Sequence, residues 1–418
     1  MIKIKKILVI LDGAADLPNK KLDDKTPLES AHTPNLDFLA RNGRMGLMYP
    51  LAKKVVPSSA NSMIAIFGND PEKCQRGVYE AIGAGIKLKK GDLSLRTNFA
   101  TIDNLESKKI LDRRAGRTLT TKETKEFEEA LNKKIKLSHK FEFKSTIEHR
   151  GVLVIRGHHS DNISSVNSGW AGKHKESEFK FSVPLDKNLE SEKSAKLVNS
   201  FIHQSYKILK EHPLNKQRIK KGFYPANIIL TRGAGAKIPK IKSYREWMSI
   251  NSMPLEIGIS KASKMQNFSF KIPEIKSFDI YDYIYKLLDK KIKYSIKILE
   301  KNHKKFQGCY IHMKETDIPG HDNKPLDKKM MIEILDEKFF NFIKEFSIKN
   351  KWEVIVTCDH STPCEMKGHS NHPVPVLVFD PNKLNNDDSH RFNEIEARMG
   401  SLKTFYGKDF VKITGLDK

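Results

Sequence analysis

Short apolar runs recur along the chain, and several of them end directly in an aspartate. Runs of this kind, without polar alternation, are typical of strands that a parallel sheet buries on both faces. Helix-patterned segments such as KKMMIEILDEKFFNFIKEFSI lie between several of the runs. This alternation predicts an α/β fold with a mostly parallel sheet. The predicted strands are KKILVILDG, GVLVIRG, ANIILTRG, QGCYIHMK, EVIVTCD and VPVLVFD.

The middle of the chain differs in composition from both ends. With 418 residues, the protein exceeds what one ordinary hydrophobic core supports, so we expect more than one domain. Residues 119–230 are rich in lysine and glutamate and include the polar run HHSDNISSVNSGWAGKHKESE. We therefore predict an inserted domain at 119–230 and assign 1–118 together with 231–418 to one discontinuous domain.

A large excess of lysine gives the chain a formal net charge of +24. Such an excess can mark a nucleic-acid-binding protein. Here the lysines are spread along most of the chain, with only short clusters such as KLKKG and RIKKG, so we interpret them as a solvated surface. We expect no nucleic-acid partner, but a surface that attracts small anionic metabolites.

The four cysteines indicate a reducing compartment. None of them forms a CxxC pair and no secretory signal precedes them, which fits free thiols in the cytoplasm. The apolar run in MIKIKKILVILDG is too short for a signal sequence or a membrane span. We therefore expect a cytoplasmic protein without a membrane partner.

Acidic and histidine side chains follow three of the predicted strands. In open α/β sheets, ligands bind beyond the carboxyl ends of the strands, so residues far apart in sequence are expected to converge there. Three aspartates and three histidines form a mixed oxygen and nitrogen set that suits Mn²⁺ or Zn²⁺ better than Mg²⁺. Six ligands exceed what one catalytic metal needs, which favours two metal ions about 4 Å apart. The candidate ligands are Asp12, Asp317, His321, Asp359, His360 and His369.

Each of these residues also has an ordinary structural explanation. A single aspartate after a strand often caps a helix, the DxxGH pattern is common in turns, and His369 alone fits a surface histidine. The CDHSTP segment is more specific, because an Asp-His pair at a strand end is costly to bury unless something binds there. We interpret the neighbouring Cys358 as packing, and His158, His159 and His372 as loop residues.

The stretch VPSSANSMIAIFGNDP brings Ser58, Ser59 and Ser62 close together. A serine hydroxyl is a weak nucleophile at neutral pH and becomes competent when a metal ion or a helix N-terminus stabilises its alkoxide. The stretch by itself leaves open whether one serine reacts or whether all three belong to a loop.

These motifs together resemble the archaeal-type, cofactor-independent phosphoglycerate mutases of the alkaline phosphatase superfamily. The resemblance spans both ends of the chain and touches its middle, so it is essentially full length. The metal-ligand core alone would also fit the wider superfamily, whereas the combination is specific to the family. The matching segments are LDGAADLPNKKLDDKTPLESAHTPNLDFLARNG, IFGNDP, RGVYEAIGAGI, LSLRTNFATI, LDRRAGR, HRGVLVIRG, RGAG, TDIPGHD, CDHSTPC and HSNHPVPVLV.

The resemblance implies an alkaline-phosphatase-like α/β domain that is interrupted by a smaller α/β insert on the substrate side. It implies an isomerase of glycolysis and gluconeogenesis that interconverts 2-phosphoglycerate and 3-phosphoglycerate without 2,3-bisphosphoglycerate. The phosphate would pass through a phosphoserine at a site with two divalent metal ions, usually Mn²⁺, with Zn²⁺, Co²⁺ or Mg²⁺ as alternatives.

By the same resemblance, the ligands divide into two groups around the nucleophile. Ser59 aligns with the nucleophile through IFGNDP, and we expect it just before a helix, with Ser62 one turn inside. One metal ion would be bound by Asp317, His321 and His369, and the other by Asp12, Asp359, His360 and Ser59.

The substrate of such an enzyme carries a phosphate and a carboxylate. Arginine suits both groups because a guanidinium binds either through two hydrogen bonds. Lys314, three residues before Asp317, fits a point charge on the phosphate. The expected substrate-binding residues are Arg96, Arg150, Arg156, Arg232 and Lys314.

The chain departs from the family pattern mainly on the substrate side. Ser58 and Ala60 flank the nucleophile where the family usually has glycine and an acidic residue. The run SDNISSVNSG stands in place of a DTDPH-like loop, so that Asn167 replaces a carboxylate. The segment 248–280 lacks the family's glycine-rich pattern and receives no role.

Two other functions would share these residues. A metal-dependent phosphatase or phosphodiesterase of the same superfamily would use the same ligands on another small phosphate ester, with water as the acceptor. A metal- or metabolite-binding sensor would keep the fold without turnover, but it would not need every ligand. The mutase is the favoured function and the phosphatase is the alternative.

Overall fold

The computed structural model describes residues 4–166, 178–273, 280–383, 387 and 389–417. Asn167 therefore lies outside the described residues. In the part of the chain that the structure describes, none of the helices combines the length and the apolar character needed to cross a bilayer. The chain forms two compact units. The first comprises Met1–Cys74, Ile241–Ser252 and Ser263–Lys418, and the second comprises Gln75–Lys240 and Met253–Ala262.

Strands and helices are numbered in chain order. The strands are β1 (Lys6–Leu11), β2 (Arg44–Tyr49), β3 (Leu93–Ile102), β4 (Ile110–Asp112), β5 (Phe141–Ser145), β6 (Arg150–Ile155), β7 (Ile228–Gly235), β8 (Trp247–Asn251), β9 (Gln266–Ser269), β10 (Gly308–Met313), β11 (Glu353–Thr357), β12 (Val374–Phe379) and β13 (Lys403–Tyr406). The helices are α1 (Pro27–Ser30), α2 (Pro34–Arg41), α3 (Ser59–Ile66), α4 (Arg76–Gly83), α5 (Thr121–Lys134), α6 (Leu189–Lys210), α7 (Pro213–Lys220), α8 (Pro254–Ala262), α9 (Ile280–Asn302), α10 (Asp317–His321), α11 (Pro325–Leu335), α12 (Asn341–Asn350) and α13 (Phe410–Thr414).

The first unit is built on an eight-stranded sheet in the order β13-β2-β12-β11-β1-β10-β8-β9. β1 pairs in parallel with β10 on one side and with β11 on the other. Every residue of β1 is buried, as expected for a strand that is covered on both faces. Ile10 lies opposite His312 of β10 and Thr357 of β11, so the carboxyl ends of the three strands meet at one level.

The mostly parallel sheet that the sequence predicts is confirmed in this unit. The predicted strands KKILVILDG, QGCYIHMK and EVIVTCD form β1, β10 and β11. VPVLVFD forms β12, which runs antiparallel to both of its neighbours, β11 and β2.

The second unit contains a five-stranded antiparallel sheet, in which β4, β3, β6 and β5 follow in order and β7 pairs with β3. Side chains alternate between the two faces along β6. Leu153 and Ile155 belong to a large core with aromatic residues of α5 and α6, whereas Val152 and Val154 belong to a smaller cluster that includes Ala81 of α4. The sheet is therefore covered on both faces.

Two of the predicted strands belong to this antiparallel sheet rather than to the parallel one. GVLVIRG forms β6 and ANIILTRG forms β7, and β3 lies between them. A continuous apolar run marks a strand that is covered on both faces, but it does not encode the direction of the neighbouring strand.

The boundaries of the units differ from the predicted insert of 119–230. The second unit begins at Gln75, because β3 pairs along its length with β6 and β7. The chain also returns to this unit through α8, which packs against α4. A Cβ atom at Gly83 would lie 1.8 Å from the Pro254 carbonyl oxygen, so these two helices approach backbone to backbone. The segment 248–280, which received no role, thus supplies α8, most of β8 and the edge strand β9.

Candidate active site

Three loops at the carboxyl ends of neighbouring strands carry the predicted metal ligands. Asp12 follows β1 directly, Asp317 begins α10 after β10, and Asp359 and His360 follow β11. The parallel pairing of the three strands brings these loops to the same edge of the sheet. Asp12, Asp359 and His360 are completely buried there.

His360 lies at the centre of the first ligand group. Its Nε2 atom lies 3.4 Å from Asp12 Oδ1 and 3.2 Å from Asp359 Oδ2. Ser59 Oγ lies 3.1 Å from the same nitrogen. The structure thus brings together the four residues that the resemblance assigns to one metal ion.

Asp317 lies at the centre of the second ligand group. His321 Nε2 lies 3.4 Å from Asp317 Oδ2, and His369 Nε2 lies 3.8 Å from Asp317 Oδ1. The rings of His360 and His369 stack with their centroids 3.6 Å apart, so the two groups adjoin. Ligand atoms of Asp317, His360 and His369 lie within 4.8 Å of one another, which puts His360 within reach of both groups.

Hydrogen bonds to backbone carbonyls orient two of the histidines. His369 Nδ1 lies 2.9 Å from the Pro57 carbonyl oxygen, and His321 Nδ1 lies 3.2 Å from the Lys367 carbonyl oxygen. A carbonyl oxygen only accepts, so Nδ1 of each ring carries the proton. Nε2 of each ring therefore presents its lone pair beside Asp317.

Thr362 orients the third histidine and links the two ligand groups. Its hydroxyl donates to Asp317 Oδ1 at 2.8 Å and therefore accepts from His360 Nδ1 at 3.0 Å, because a hydroxyl has one proton to donate. Nε2 of His360 then carries the lone pair, as in the other two histidines. All three imidazoles are thus prepared to bind a metal ion through the same atom.

Asp12 and Asp359 each have one anchored carboxylate oxygen and one oxygen without a hydrogen bond. Asp359 Oδ1 accepts from the backbone N–H groups of Gly13 and His360, both at 3.1 Å, and Asp12 Oδ2 accepts from His312 at 2.8 Å. Among the described residues, the buried Asp359 Oδ2 and Asp12 Oδ1 find no hydrogen-bond donor. Leaving such oxygens unpaired inside a protein is costly, and a bound cation would satisfy both.

Burial and neighbouring charged or titratable groups shift the pKa values of two candidate ligands in opposite directions. Burial, together with the neighbouring charge of Asp12, raises the pKa of Asp359 well above its ordinary value. Burial and the adjacent His369 lower the pKa of His360 well below its ordinary value, which keeps the imidazole neutral. Carboxylate oxygens and neutral imidazole nitrogens are ligands that Mn²⁺ and Zn²⁺ accept, so the residues present fit a divalent metal ion.

Ser59 is the first residue of α3, whereas the sequence places it just before the helix. Ser58 supplies the helix cap, since its side chain accepts from the Asn61 backbone N–H at 3.3 Å. The N-terminus of a helix stabilises negative charge, which favours a Ser59 alkoxide or a phosphoryl group on it. Ser62, one turn further along, is fully buried, and its hydroxyl finds no hydrogen-bond partner among the described residues.

Two residues that were not predicted from the sequence, His312 and Tyr310, are linked to Asp12 by hydrogen bonds. His312 Nε2 lies 2.8 Å from Asp12 Oδ2, and His312 Nδ1 lies 2.7 Å from the Tyr310 hydroxyl. Lys314, which the resemblance assigns to the phosphate, bonds the same Asp12 oxygen. Burial acts to raise the pKa of Asp12, but Lys314 and His312 outweigh it and lower that pKa. The available signal for His312 was a histidine at the carboxyl end of a predicted buried strand.

Three of the predicted substrate-binding arginines lie in one cluster in the second unit. Arg96 of β3 pairs directly with Arg232 of β7, and Arg150 lies on β6 at the other side of β3. Glu80 of α4 lies 3.4 Å from Arg96 Nε and 3.1 Å from Arg76 Nε. We call Arg76, Arg96, Arg150 and Arg232 the arginine cluster.

The arginine cluster holds more positive charge than Glu80 and Glu148 balance, although Glu148 Oε2 lies 3.0 Å from the Arg150 guanidinium. Burial and the neighbouring Arg76 lower the pKa of Arg232 to about 9, and burial together with Arg232 lowers the pKa of Arg96 well below its ordinary value. The buried Nε atoms of Arg96 and Arg232 make no hydrogen bond within the described part of the chain. Such a surplus of donors and charge suits an anionic ligand.

Arg156 is not brought to this cluster. Its guanidinium lies 2.7 Å from Asp92 Oδ2 and 2.6 Å from Glu142 Oε2, at the opposite end of β6 from Arg150. These two ion pairs occupy the side chain, so its predicted role in substrate binding stays a prediction.

Comparison with known proteins gives one consistent family. A family model described as 2,3-bisphosphoglycerate-independent phosphoglycerate mutase matches residues 40–215. A relative of that name from Methanosphaera stadtmanae is 35% identical and is aligned over 98% of this chain and 97% of its own length. One from Pyrococcus horikoshii is also 35% identical, over 99% of this chain and 97% of its own length.

Solved structures agree with these relatives. The structure of a Pyrococcus horikoshii protein has a TM-score of 0.77 and 28% identity, covering 99% of this chain and 97% of that one. The cofactor-independent phosphoglycerate mutase from Thermoplasma acidophilum has a TM-score of 0.61 and 27% identity, covering 99% of both chains. From these full-length similarities, the chain belongs to the family of 2,3-bisphosphoglycerate-independent phosphoglycerate mutases.

Proposed function

We propose that this protein interconverts 2-phosphoglycerate and 3-phosphoglycerate without 2,3-bisphosphoglycerate, as an isomerase of glycolysis and gluconeogenesis. One observation carries the proposal. The Ser59 hydroxyl lies at the start of α3, 3.1 Å from His360 Nε2. Beside it, Asp12 and Asp359 each have one buried carboxylate oxygen that finds no hydrogen-bond donor among the described residues. The full-length similarity to mutases supports the same reaction.

We assign two divalent metal ions to the site, Mn²⁺ first, with Zn²⁺, Co²⁺ or Mg²⁺ as alternatives. When bound, such ions supply positive charge that stabilises the serine alkoxide and the transferring phosphoryl group. One ion would be held by Asp317, His321 and His369, and the other by Asp12, Asp359, His360 and Ser59.

Ser59 carries the phosphoryl group between the two positions of glycerate. Its Oγ atom forms a bond to phosphorus while the bond from phosphorus to the substrate oxygen breaks, and the serine proton ends on that oxygen. The glycerate re-orients, and its other hydroxyl oxygen takes the phosphoryl group from Ser59, which regains a proton. Positioning and electrostatic stabilisation do most of the catalytic work in such a transfer.

We assign the carboxylate of the substrate to Arg96, Arg150 and Arg232 of the arginine cluster. Two arginines that face each other on paired strands repel, and Glu80 offsets only part of that repulsion. A bound carboxylate would offset the rest and would accept hydrogen bonds from the guanidinium groups, including Arg232 Nε, which finds no hydrogen-bond acceptor among the described residues. Arg156 is left out of this assignment because of its two ion pairs.

A coupled mutase assay with Mn²⁺ and without 2,3-bisphosphoglycerate tests the proposal on the wild type and on Ser59→Ala. Isomer formation by the wild type alone is the expected result. Release of inorganic phosphate with no isomer formed would favour the phosphatase instead. Tight binding of phosphoglycerate without turnover under every divalent metal would favour the sensor.

A further inference from the structure

A buried lysine lies behind the two ligand groups and has no part in the chemistry described above. Lys328, on α11, is completely buried. Its ammonium group donates to Asp16 Oδ2 at 2.8 Å, to the Thr362 carbonyl oxygen at 3.0 Å and to the Ala15 carbonyl oxygen at 3.2 Å. An ammonium group has three donors, so these contacts use all of them.

The acceptors of Lys328 belong to the two loops that carry the first ligand group. Ala15 and Asp16 lie in the loop after β1, and Thr362 lies in the loop after β11. Asp16 Oδ1 also accepts from the Cys364 backbone N–H at 3.1 Å, so the carboxylate itself reaches from one loop to the other. The Lys328–Asp16 ion pair thus joins the two loops at one point.

Thr362 connects Lys328 to both ligand groups. Lys328 donates to the Thr362 carbonyl oxygen. The Thr362 hydroxyl donates to Asp317 of one group and accepts from His360 of the other. A Cβ atom at Gly320 would lie 2.5 Å from the Thr362 carbonyl oxygen, so α10 leaves the residue little room to move on that side. A shift of the Thr362 backbone would therefore move ligand atoms of both groups.

We propose that Lys328, acting through Thr362, is a positioning residue for the metal centre. By holding the Thr362 backbone, it sets the separation of Asp317 and His360 that tight metal binding needs. The inference rests on the metal site of the proposed function, but not on the mutase reaction itself.

The test is direct binding of Mn²⁺, measured by isothermal titration calorimetry, to the double variant Lys328→Met/Asp16→Asn. Both charges are removed together because a single substitution would leave one charged side chain buried without its partner. We expect Mn²⁺ affinity to fall at least about tenfold, as is usual when groups that orient metal ligands are lost. The KM for phosphoglycerate at saturating Mn²⁺ should stay at the wild-type value, because neither residue contacts substrate in this scheme.

A matched control comes from another buried ion pair, which joins two strands of the parallel sheet. Lys6 Nζ lies 2.9 Å from Glu353 Oε2, at the amino ends of β1 and β11. The double variant Lys6→Met/Glu353→Gln removes an equivalent pair away from the ligands and should bind Mn²⁺ as the wild type does. The proposal is overturned if the Lys328→Met/Asp16→Asn variant keeps wild-type affinity for Mn²⁺. It is also overturned if the two double variants lose Mn²⁺ affinity to the same extent.

If the Lys328 variant does not fold, as judged by circular dichroism, Thr362→Val carries the same test. Valine keeps the shape of the side chain and removes only the hydroxyl, so Mn²⁺ binding should weaken in Thr362→Val and recover in Thr362→Ser. Wild-type affinity in Thr362→Val would contradict the proposal. A protein that lacks mutase activity but still needs Lys328 for Mn²⁺ binding would contradict the proposed function and leave this inference intact.

Discussion

Ser59 Oγ lies 3.1 Å from His360 Nε2, although the two residues are 301 positions apart in the sequence. Two local features create this contact. Ser58 caps α3 and so places Ser59 in its first turn. His360 Nδ1 donates to the Thr362 hydroxyl, so the Nε2 lone pair of His360 faces the serine. The Ser59 hydroxyl and His360 Nε2 therefore face the same small volume, which the carboxylates of Asp12 and Asp359 also line.

Replacing Ser59 by alanine should lower mutase activity at least about a thousandfold, because the proposed mechanism loses its nucleophile. The coupled assay measures the rate, and intact-mass spectrometry after brief incubation with 3-phosphoglycerate detects the phosphoserine, which should be absent from the variant. Ser62→Ala is the control and should keep wild-type turnover, because the Ser62 side chain is fully buried one turn further along α3. Full activity in Ser59→Ala would show that another group accepts the phosphate.

Removal of divalent metal should destabilise the protein, because the carboxylates of Asp12, Asp317 and Asp359 would repel one another without it. Saturation with Mn²⁺ at about 100 times its dissociation constant should add about 2.7 kcal/mol to the free energy of unfolding. Thermal unfolding with EDTA and then with excess Mn²⁺ measures this gain. Asp359→Asn removes one ligand charge, so the metal-free variant should be more stable than metal-free wild type and gain less from Mn²⁺. An equal gain in both proteins would argue against Asp359 as a ligand.

The convergence of the candidate metal ligands could be predicted from the sequence because its signal is local. An apolar run followed by Asp12, or by Asp359 and His360, reports both a strand and its carboxyl end, and parallel pairing then brings such ends together. The membership of β3 in the second unit has no such local signal, since it depends on pairing with β6 and β7, which lie far along the chain.

The ion-pair partners of a charged side chain also depend on residues that are distant in the sequence. Arg150 begins β6 and Arg156 directly follows it, and the two look alike in sequence. Only Arg150 joins the arginine cluster, while Arg156 pairs with Asp92 and Glu142. Lys328 reads as one more surface lysine in a lysine-rich chain, and only the fold shows that it is buried against Asp16.

Arg232→Met and Arg156→Met should therefore affect catalysis differently. Loss of Arg232 should raise the KM for 3-phosphoglycerate at least about tenfold, because one charged hydrogen-bonding partner of the carboxylate is gone. Arg156→Met should leave KM near the wild-type value and act on stability instead. Initial rates at saturating Mn²⁺ measure KM, and Mn²⁺ titration confirms that the metal site is unchanged in both variants. Equal increases in KM in Arg232→Met and Arg156→Met would indicate that Arg156 also binds the substrate.

Glu394 should make the stability of the protein depend on pH. Its carboxylate accepts from the Asp16 backbone N–H at 2.9 Å and from the Thr26 hydroxyl at 2.7 Å, and burial raises its pKa from 4.5 to about 7. Because the folded state binds this proton more tightly than the unfolded state, the stabilisation is complete below pH 4.5 and is lost as the pH rises through about 7. Between about pH 5 and about pH 8, the wild type should lose up to about 3 kcal/mol more stability than Glu394→Gln, which cannot ionise. Urea unfolding in the presence of EDTA, which removes the pH dependence of metal binding, measures both curves. Parallel curves for the two proteins would mean that Glu394 is ionised in the folded state throughout this range.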